Sequence, residues 1–524
     1  MRTTRRRGGT LIRIDGRTLT LEALEHAART RGEARLDPEA AGRMRLSRAV
    51  VERALVRGAP VYGVNTGFGE LKDRKVEDKD LARLQLNLLR SHAAGVGPPL
   101  PADVVRALGL LRANSLAVGV SGVRPELVEH LLDMLAKDVV PVVPAQGSVG
   151  ASGDLAPLAH FALVLVGEGE ANFAGQMKSG AEALAAAKLE PFTLAPKEGL
   201  ALINGTQLST AVLGLVLVDA ERLLRTAIGA CALSLEALLG STRAFDPRVM
   251  AVRPHAGQGW VAARLCRLVE GSGLMASHAD CNRIQDPYSL RCAPQVLGAS
   301  RDALAYARAV VEREVNAATD NPLVFVGDGA GDDVISAGNF HAQPIGLVAD
   351  HVAVAVAEIG SIAERRIDLM TDEKRSGGLP PFLTAQPGLH SGLMIVQYAA
   401  AALVSENKTL CFPATVDSIP TSAGIEDHVS MAPIAARKAR AVVDNAARVV
   451  AGELVCAAQA VEFRVAAQNG ARPGAGTAAI LDAVRARVPR VDEDRPLGAA
   501  LERLAQDILS GAFEEDALAS EVSR

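Results

Sequence analysis

From about residue 102 onward, apolar residues recur at helical spacing over long stretches. The pattern predicts helices over 103–116, 125–137, 207–224, 302–317, 344–366, 391–410 and 432–463. In the fifth of these, Val348, Val352, Val356 and Ile359 mark one face, while Ala349, Ala353, Val354 and Ala357 fill the others. Pro344 stands in its first turn, where a missing N–H costs nothing. A helix apolar nearly all round is buried on all sides, and 432–463 reads the same way. Tyr306 and Tyr398 lie on helical patterns and read as core residues. Before residue 102 the pattern is mixed: "TLIRIDGRTLT" reads as a short β-hairpin around Asp15 and Gly16, and "LEALEHAARTR" as a helix. The expected fold is mainly α, a long-helix bundle with a small mixed α/β N-terminal region. The division expected is a flexible basic tail over 1–12, a mixed region over 13–115 and a helical domain over 116–524.

Composition narrows the function classes. With 49% hydrophobic and 22% charged residues, the 524-residue chain can bury a large core. A net charge of −4 argues against a nucleic-acid partner. Arg5, Arg6 and Arg7, the one basic cluster, read as a solvated tail. No apolar stretch follows the charged N-terminus as in a signal peptide, and the run 208–218 is too short to span a bilayer. A cytoplasmic protein with no membrane partner is expected. The cysteines at 231, 266, 281, 292, 411 and 456 form no CxxC pair, which fits free thiols better than a disulfide frame or a zinc site. No metal is expected: HExxH is absent, and the consecutive Glu426, Asp427 and His428 would diverge on a helix. Phosphate-loop and dinucleotide spacings are absent too. The segment 327–333, "GDGAGDD", reads as an exposed loop.

The chemistry concentrates in polar, small-residue segments that interrupt the apolar pattern. Tyr62 and Tyr288 sit in Gly/Pro-punctuated segments rather than on helices. "SHAAGVG" (91–97), "LINGTQLS" (202–209), "SAGNFHAQP" (336–344) and "TSAGIEDHVSM" (421–431) would each serve as a capping loop, yet together they gather His, Asn, Gln, Phe and Glu. The densest stretch is "GSVGASGDLAPLAH" (147–160). Ser152 lacks the first glycine of a GxSxG hydrolase elbow. Its neighbours Ala151 and Gly153 are instead the smallest available. The unhindered amide nitrogen of Gly153 can approach the carbonyl carbon of Ala151 in a tight turn. Closure with loss of water gives an imidazolone, and loss of the Ser152 hydroxyl leaves an exocyclic methylene, an electrophile that no unmodified side chain supplies.

Seven segments in order, "YGVNTGFG", "RSHAAGVG", "GSVGASGDLAPLAH", "LINGTQLSTA", "QDPYSLRC", "GNFHAQP" and "EDHVSM", resemble blocks of the aromatic amino-acid ammonia-lyase and aminomutase family. The resemblance runs through nearly the whole chain. It implies that Ala151, Ser152 and Gly153 mature autocatalytically into 4-methylidene-imidazol-5-one (MIO), with Asp154 assisting ring formation. It also implies a homotetrameric helical core whose active sites draw on more than one subunit, and a small-molecule amino-acid substrate. By the same resemblance, Tyr62 takes the β-proton. Asn204 and Tyr288 line the electrophile, Asn204 holding the imidazolone oxygen. Arg291 clamps the substrate carboxylate, and Gln285 and Phe340 line the pocket. His92 and Glu426 match the side-chain readers of the family's histidine-deaminating members, since a carboxylate can accept an imidazole N–H. Ile425 and Gln343 depart from the common pattern at positions where glutamine and glutamate are usual. The expectation is therefore ammonia elimination from histidine. The alternatives are tyrosine deamination or 2,3-amino migration and, more distantly, an inactive helical scaffold.

Overall fold

A computed structural model describes residues 11–57, 63–66, 76–279, 283–327, 331–468 and 471–514. The predicted helices are present: Ala102–Ala117, Pro125–Ala136, Gln207–Ala237, Ala293–Glu314, Gln343–Thr371, Met394–Leu410 and Ala432–Ala467. Two run well beyond their predicted bounds. The helix expected to stop at residue 224 continues through "RTAIGACALSLEA", which contains no proline, and the chain turns only at Leu239, with φ 50°, and Gly240. The helix ending at Glu314 likewise begins nine residues before its expected start, at Ala293 rather than 302.

The chain forms two compact units. One comprises Met1–Leu215, Arg308–Asp350 and Pro413–Arg437; the other comprises Val216–Ala307, His351–Phe412 and Lys438–Arg524. In the first, strand Ile12–Ile14 pairs in parallel with Ala34–Leu36, and helix Leu21–Thr30 connects them. The expected hairpin around Asp15 and Gly16 is thus replaced by a β-α-β arrangement. The Asp15 carboxylate accepts from the Arg17 and Thr18 amides at 2.8 and 2.9 Å, turning the chain into a helix rather than back along its own strand. Thr20 then caps that helix through the Ala23 amide. Three further small antiparallel sheets join Val96–Pro99 to Pro144–Gln146, Val140–Pro141 to Glu170–Phe173 and Gln176–Ser179, and Leu323–Phe325 to Asp333–Ile335. Asp333, expected in a loop, opens the last of these strands; residues 328–330 lie outside the described set.

The second unit is held by buried polar groups between long helical segments. The Arg366 guanidinium and the Glu453 carboxylate, both fully buried, pair at 2.8 Å, and Ser234 donates to the same carboxylate at 2.7 Å. Helix Gln343–Thr371 is long and apolar enough to cross a membrane by length and composition, yet 67% of its most apolar stretch is buried inside the protein. Val348, Val352, Val356 and Ile359 are buried as expected, but Leu347 and Val354 are exposed, so burial does not extend all round. Tyr306 and Tyr398, expected in the core, are exposed; Tyr306 meets the edge of the His351 ring instead. Cys231, Cys266, Cys292, Cys411 and Cys456 are free thiols.

Candidate active site

The "GSVGASGDLAPLAH" stretch follows strand Pro144–Gln146 and runs into helix Leu155–Leu165, leaving 147–154 as the turn between them. Ser152 and Gly153 both take left-handed backbone angles, φ 51° and 82°. A non-glycine residue there costs on the order of 1 kcal/mol and persists only where its surroundings hold it. Here they do. Gly153 bridges to Gly205 in parallel, and the next amide, of Asp154, donates to the Gly205 carbonyl at 2.7 Å. A Cβ on Gly153 would come within 2.2 Å of that carbonyl oxygen, so only glycine fits. The Asn204 amide nitrogen donates to the Ser152 carbonyl at 3.0 Å. Asn204 Oδ1 is buried with no partner among the described residues.

Asp154 locks the turn from below. Wholly buried, its two carboxylate oxygens accept from the Ser209 amide and hydroxyl, each at 2.9 Å, in the first turn of helix Gln207–Ala237. Burial pushes its pKa up to about 6 against these stabilising bonds. The Asn204–Gln207 segment is braced in turn. Arg112, fully buried, donates to the Asn204 carbonyl and to Gln207 Oε1, both at 2.8 Å. Burial lowers its pKa to about 10. Gln207 reaches Thr319 and Thr206 reaches Glu314, each at 2.7 Å. Burial raises the pKa of Glu314. Thr206, Gln207 and Ser209 lie in the "LINGTQLS" segment that the sequence singles out, whereas Arg112, Thr319 and Glu314 did not stand out in the sequence. The one available signal was Arg112, a lone charge in the otherwise uncharged helical run "ALGLLRANSLA".

The 421–431 segment covers the other side. The Met431 amide donates to the Val149 carbonyl at 2.9 Å, and a Cβ on Gly150 would strike the Ser430 hydroxyl. Glu426 is thereby placed with one carboxylate oxygen accepting from the Ser152 hydroxyl at 2.5 Å and the other from the Thr421 hydroxyl at 2.7 Å. His92 ends helix Leu81–His92, with its Nδ1 2.9 Å from the Leu88 carbonyl. Burial lowers its pKa, opposed by that carbonyl and by the negative charge of Glu426. The lowered pKa favours the neutral form of this imidazole. Phe340 is half-buried just before helix Gln343–Thr371. Its neighbour His341 stacks on His428 with ring centres 5.9 Å apart and donates to the His428 carbonyl at 3.1 Å, tying the Phe340 segment to the Glu426 segment. Gln343 Oε1 is buried with no partner among the described residues.

Ala151, Ser152, Gly153, Asp154, Asn204, His92, Phe340 and Glu426 thus belong to the first unit. Gln285, Tyr288 and Arg291 form their own group in the second. Arg291 donates to Gln285 Oε1 at 2.9 Å, and its guanidinium lies 4.6 Å from the centre of the Tyr288 ring. Tyr288 is 71% exposed. Tyr62 lies outside the described residues; Val64, Asn65 and Thr66 just after it are buried.

This arrangement fits an imidazolone ring formed from residues 151–153. The nitrogen-bearing residue carries no Cβ to obstruct closure, the carbonyl that becomes the ring oxygen already has its amide donor, and the hydroxyl to be lost is held by a carboxylate. A turn of this kind in a mainly helical chain defines a class, and the chain belongs to the aromatic amino acid lyase family, whose model matches residues 19–486. Within the class, a histidine ammonia-lyase of Sorangium cellulosum (strain So ce56) is 54% identical over 503 residues, covering 95% of this chain and 97% of that protein. The structure of a histidine ammonia-lyase from Trypanosoma cruzi superposes with a TM-score of 0.89 at 39% identity, over 98% of this chain and 95% of that one. A tyrosine aminomutase from Streptomyces globisporus superposes at 0.91 and 38% identity, over 98% and 99%.

Proposed function

We infer that the protein catalyses the non-oxidative elimination of ammonia from L-histidine to give trans-urocanate. The observation that carries this reading is the Glu426 carboxylate seated directly on the Ser152 turn. A carboxylate there accepts an N–H from a substrate imidazole, whereas an unsubstituted phenyl ring would leave it unmatched. The relative from Sorangium cellulosum, at 54% identity over nearly the whole chain, supports the same substrate.

Closure of Ala151, Ser152 and Gly153 with loss of two waters yields MIO, which supplies an electrophile that makes the substrate amine a leaving group. The chain's other residues do the rest. Asn204 holds the ring oxygen through the bond it already makes to the Ser152 carbonyl, and Asp154 assists ring formation by fixing the turn on Ser209. Tyr62 takes the β-proton. Arg291 clamps the substrate carboxylate with its planar fork, Tyr288 lines the electrophile, and Gln285 and Phe340 line the pocket. The exposure of Tyr288 supports a homotetramer in which active sites draw residues from more than one subunit. The enzyme is assigned to the cytoplasm.

The test is a substrate panel of histidine, tyrosine and phenylalanine, with unsaturated acid and ammonia both measured. Histidine should give urocanate and ammonia in equal amounts at the highest kcat/KM. Preferential turnover of tyrosine, or a β-amino acid formed without net ammonia, would overturn the reading.

A further inference from the structure

Glu426 does more in this structure than face a substrate pocket. In the unmodified chain its carboxylate is already occupied by the very hydroxyl that must leave, Ser152 Oγ at 2.5 Å. The contact is built rather than incidental. Thr421 fixes the second carboxylate oxygen at 2.7 Å, and the backbones of Thr421 and Glu426 exchange hydrogen bonds at 3.0 and 3.3 Å, so the side chain is held from its own loop. That loop is docked on the turn at two more points, Met431 on Val149 and Ser430 against Gly150. On the other partner, the left-handed angle of Ser152 presents the hydroxyl toward this loop while its carbonyl is drawn to Asn204. Hydroxide is a poor leaving group, and a carboxyl within hydrogen-bond reach of it meets the geometric requirement for general acid catalysis.

We propose that Glu426 acts before it ever meets substrate, as the acid that removes the Ser152 hydroxyl during maturation, with Thr421 as its positioning residue. The step balances without an oxidant or reductant. Glu426 first takes up a proton from solvent; the Ser152 Cβ–Oγ bond then breaks, that proton passes from the Glu426 carboxyl to Oγ, and Oγ departs as water. The Cα–H bond supplies the electron pair of the new Cα=Cβ bond, its proton goes to solvent in place of the one taken up, and Glu426 is left as a carboxylate. Ring closure between Gly153 N and the Ala151 carbonyl loses a separate water and uses no atom that Glu426 touches. The single carboxylate therefore serves two stages in turn: it is released by loss of the hydroxyl and becomes free to read the substrate side chain.

This rests on the maturation assigned above, and the two can fail separately. The measurement is the intact mass of freshly purified full-length protein, wild type beside Glu426→Ala, Glu426→Gln and Thr421→Val, with circular dichroism and thermal unfolding recorded on each. Wild type should be two waters short of its sequence mass. The two Glu426 variants should stall one water short, ring closed and hydroxyl retained, because neither alanine nor an amide can transfer the proton. Thr421→Val should mature at least tenfold more slowly and still reach the two-water mass. Complete two-water loss in folded Glu426→Ala and Glu426→Gln at the wild-type rate would overturn the proposal, as would retention of both waters by these variants while wild type matures. Should the Glu426 variants not fold, Thr421→Val decides: an unchanged maturation rate overturns the proposal. A wild-type chain that keeps both waters contradicts the maturation itself.

Discussion

Gly153 is the residue on which the site is most sharply constrained. With φ 82° and a prospective Cβ 2.2 Å from the Gly205 carbonyl oxygen, Gly153→Ala must either move the Asn204–Gly205 segment or open the turn. It should cost about 2–5 kcal/mol, measurable as a lower urea midpoint, and should retain both waters in its mass. Normal stability with full maturation would show that the close approach is dispensable. Asp154 carries a pH signature. Its pKa is about 6 when folded against 3.8 for the free side chain. Between those values the folded state binds more protons than the unfolded one, so this group's contribution to stability falls as pH rises from about 4 to about 6 and is constant above. The full change is at most about 3 kcal/mol. Asp154→Asn removes it, so the difference in unfolding free energy should move in the variant's favour across that window. A difference that stays flat from pH 4 to 7 would contradict the assignment. The turn-forming residues were legible in the sequence because glycine and serine have few uses in apolar surroundings. The bracing residues Arg112 and Glu314 were not, because they act through burial and long-range pairing that no local spacing encodes.

At the level of elements, helical periodicity located the long helices but not all their ends. Periodicity registers a face, and the stretch 226–235 of helix Gln207–Ala237, which carries no charge, offers no face to read. The N-terminal strand was misread as half of a hairpin because Asp15–Gly16 is a common hairpin turn; the parallel partner at Ala34–Leu36 lies beyond an intervening helix, a non-local pairing invisible to turn chemistry. The helices of the second unit are joined by a fully buried ion pair, which makes them vulnerable at one point. Arg366→Met leaves the Glu453 carboxylate without its guanidinium and should destabilise by about 3–5 kcal/mol. Replacing both residues with methionine should recover most of that loss. Equal destabilisation by the single and double variants in urea unfolding would mean that the charge, left alone, is not what is costly.

At the scale of the whole molecule, helix Met394–Leu410 leaves Ile395 and Tyr398 exposed, apolar surface of the kind that the proposed tetramer would bury. Tyr398→Glu should shift the protein to smaller species in sedimentation velocity and lower kcat in parallel, since shared sites come apart with the subunits. Full activity in a dissociated chain would contradict shared sites. The proposed tetramer rests on family resemblance, because one chain's hydrophobic pattern does not distinguish a core face from a subunit face. The central claim is that residues 151–153 become the electrophile for histidine deamination. It is tested most directly by mass spectrometry of the peptide spanning 147–160 from wild-type protein that is turning over histidine. The account predicts that this peptide is two waters lighter than its sequence; a peptide of full sequence mass in active enzyme would contradict it.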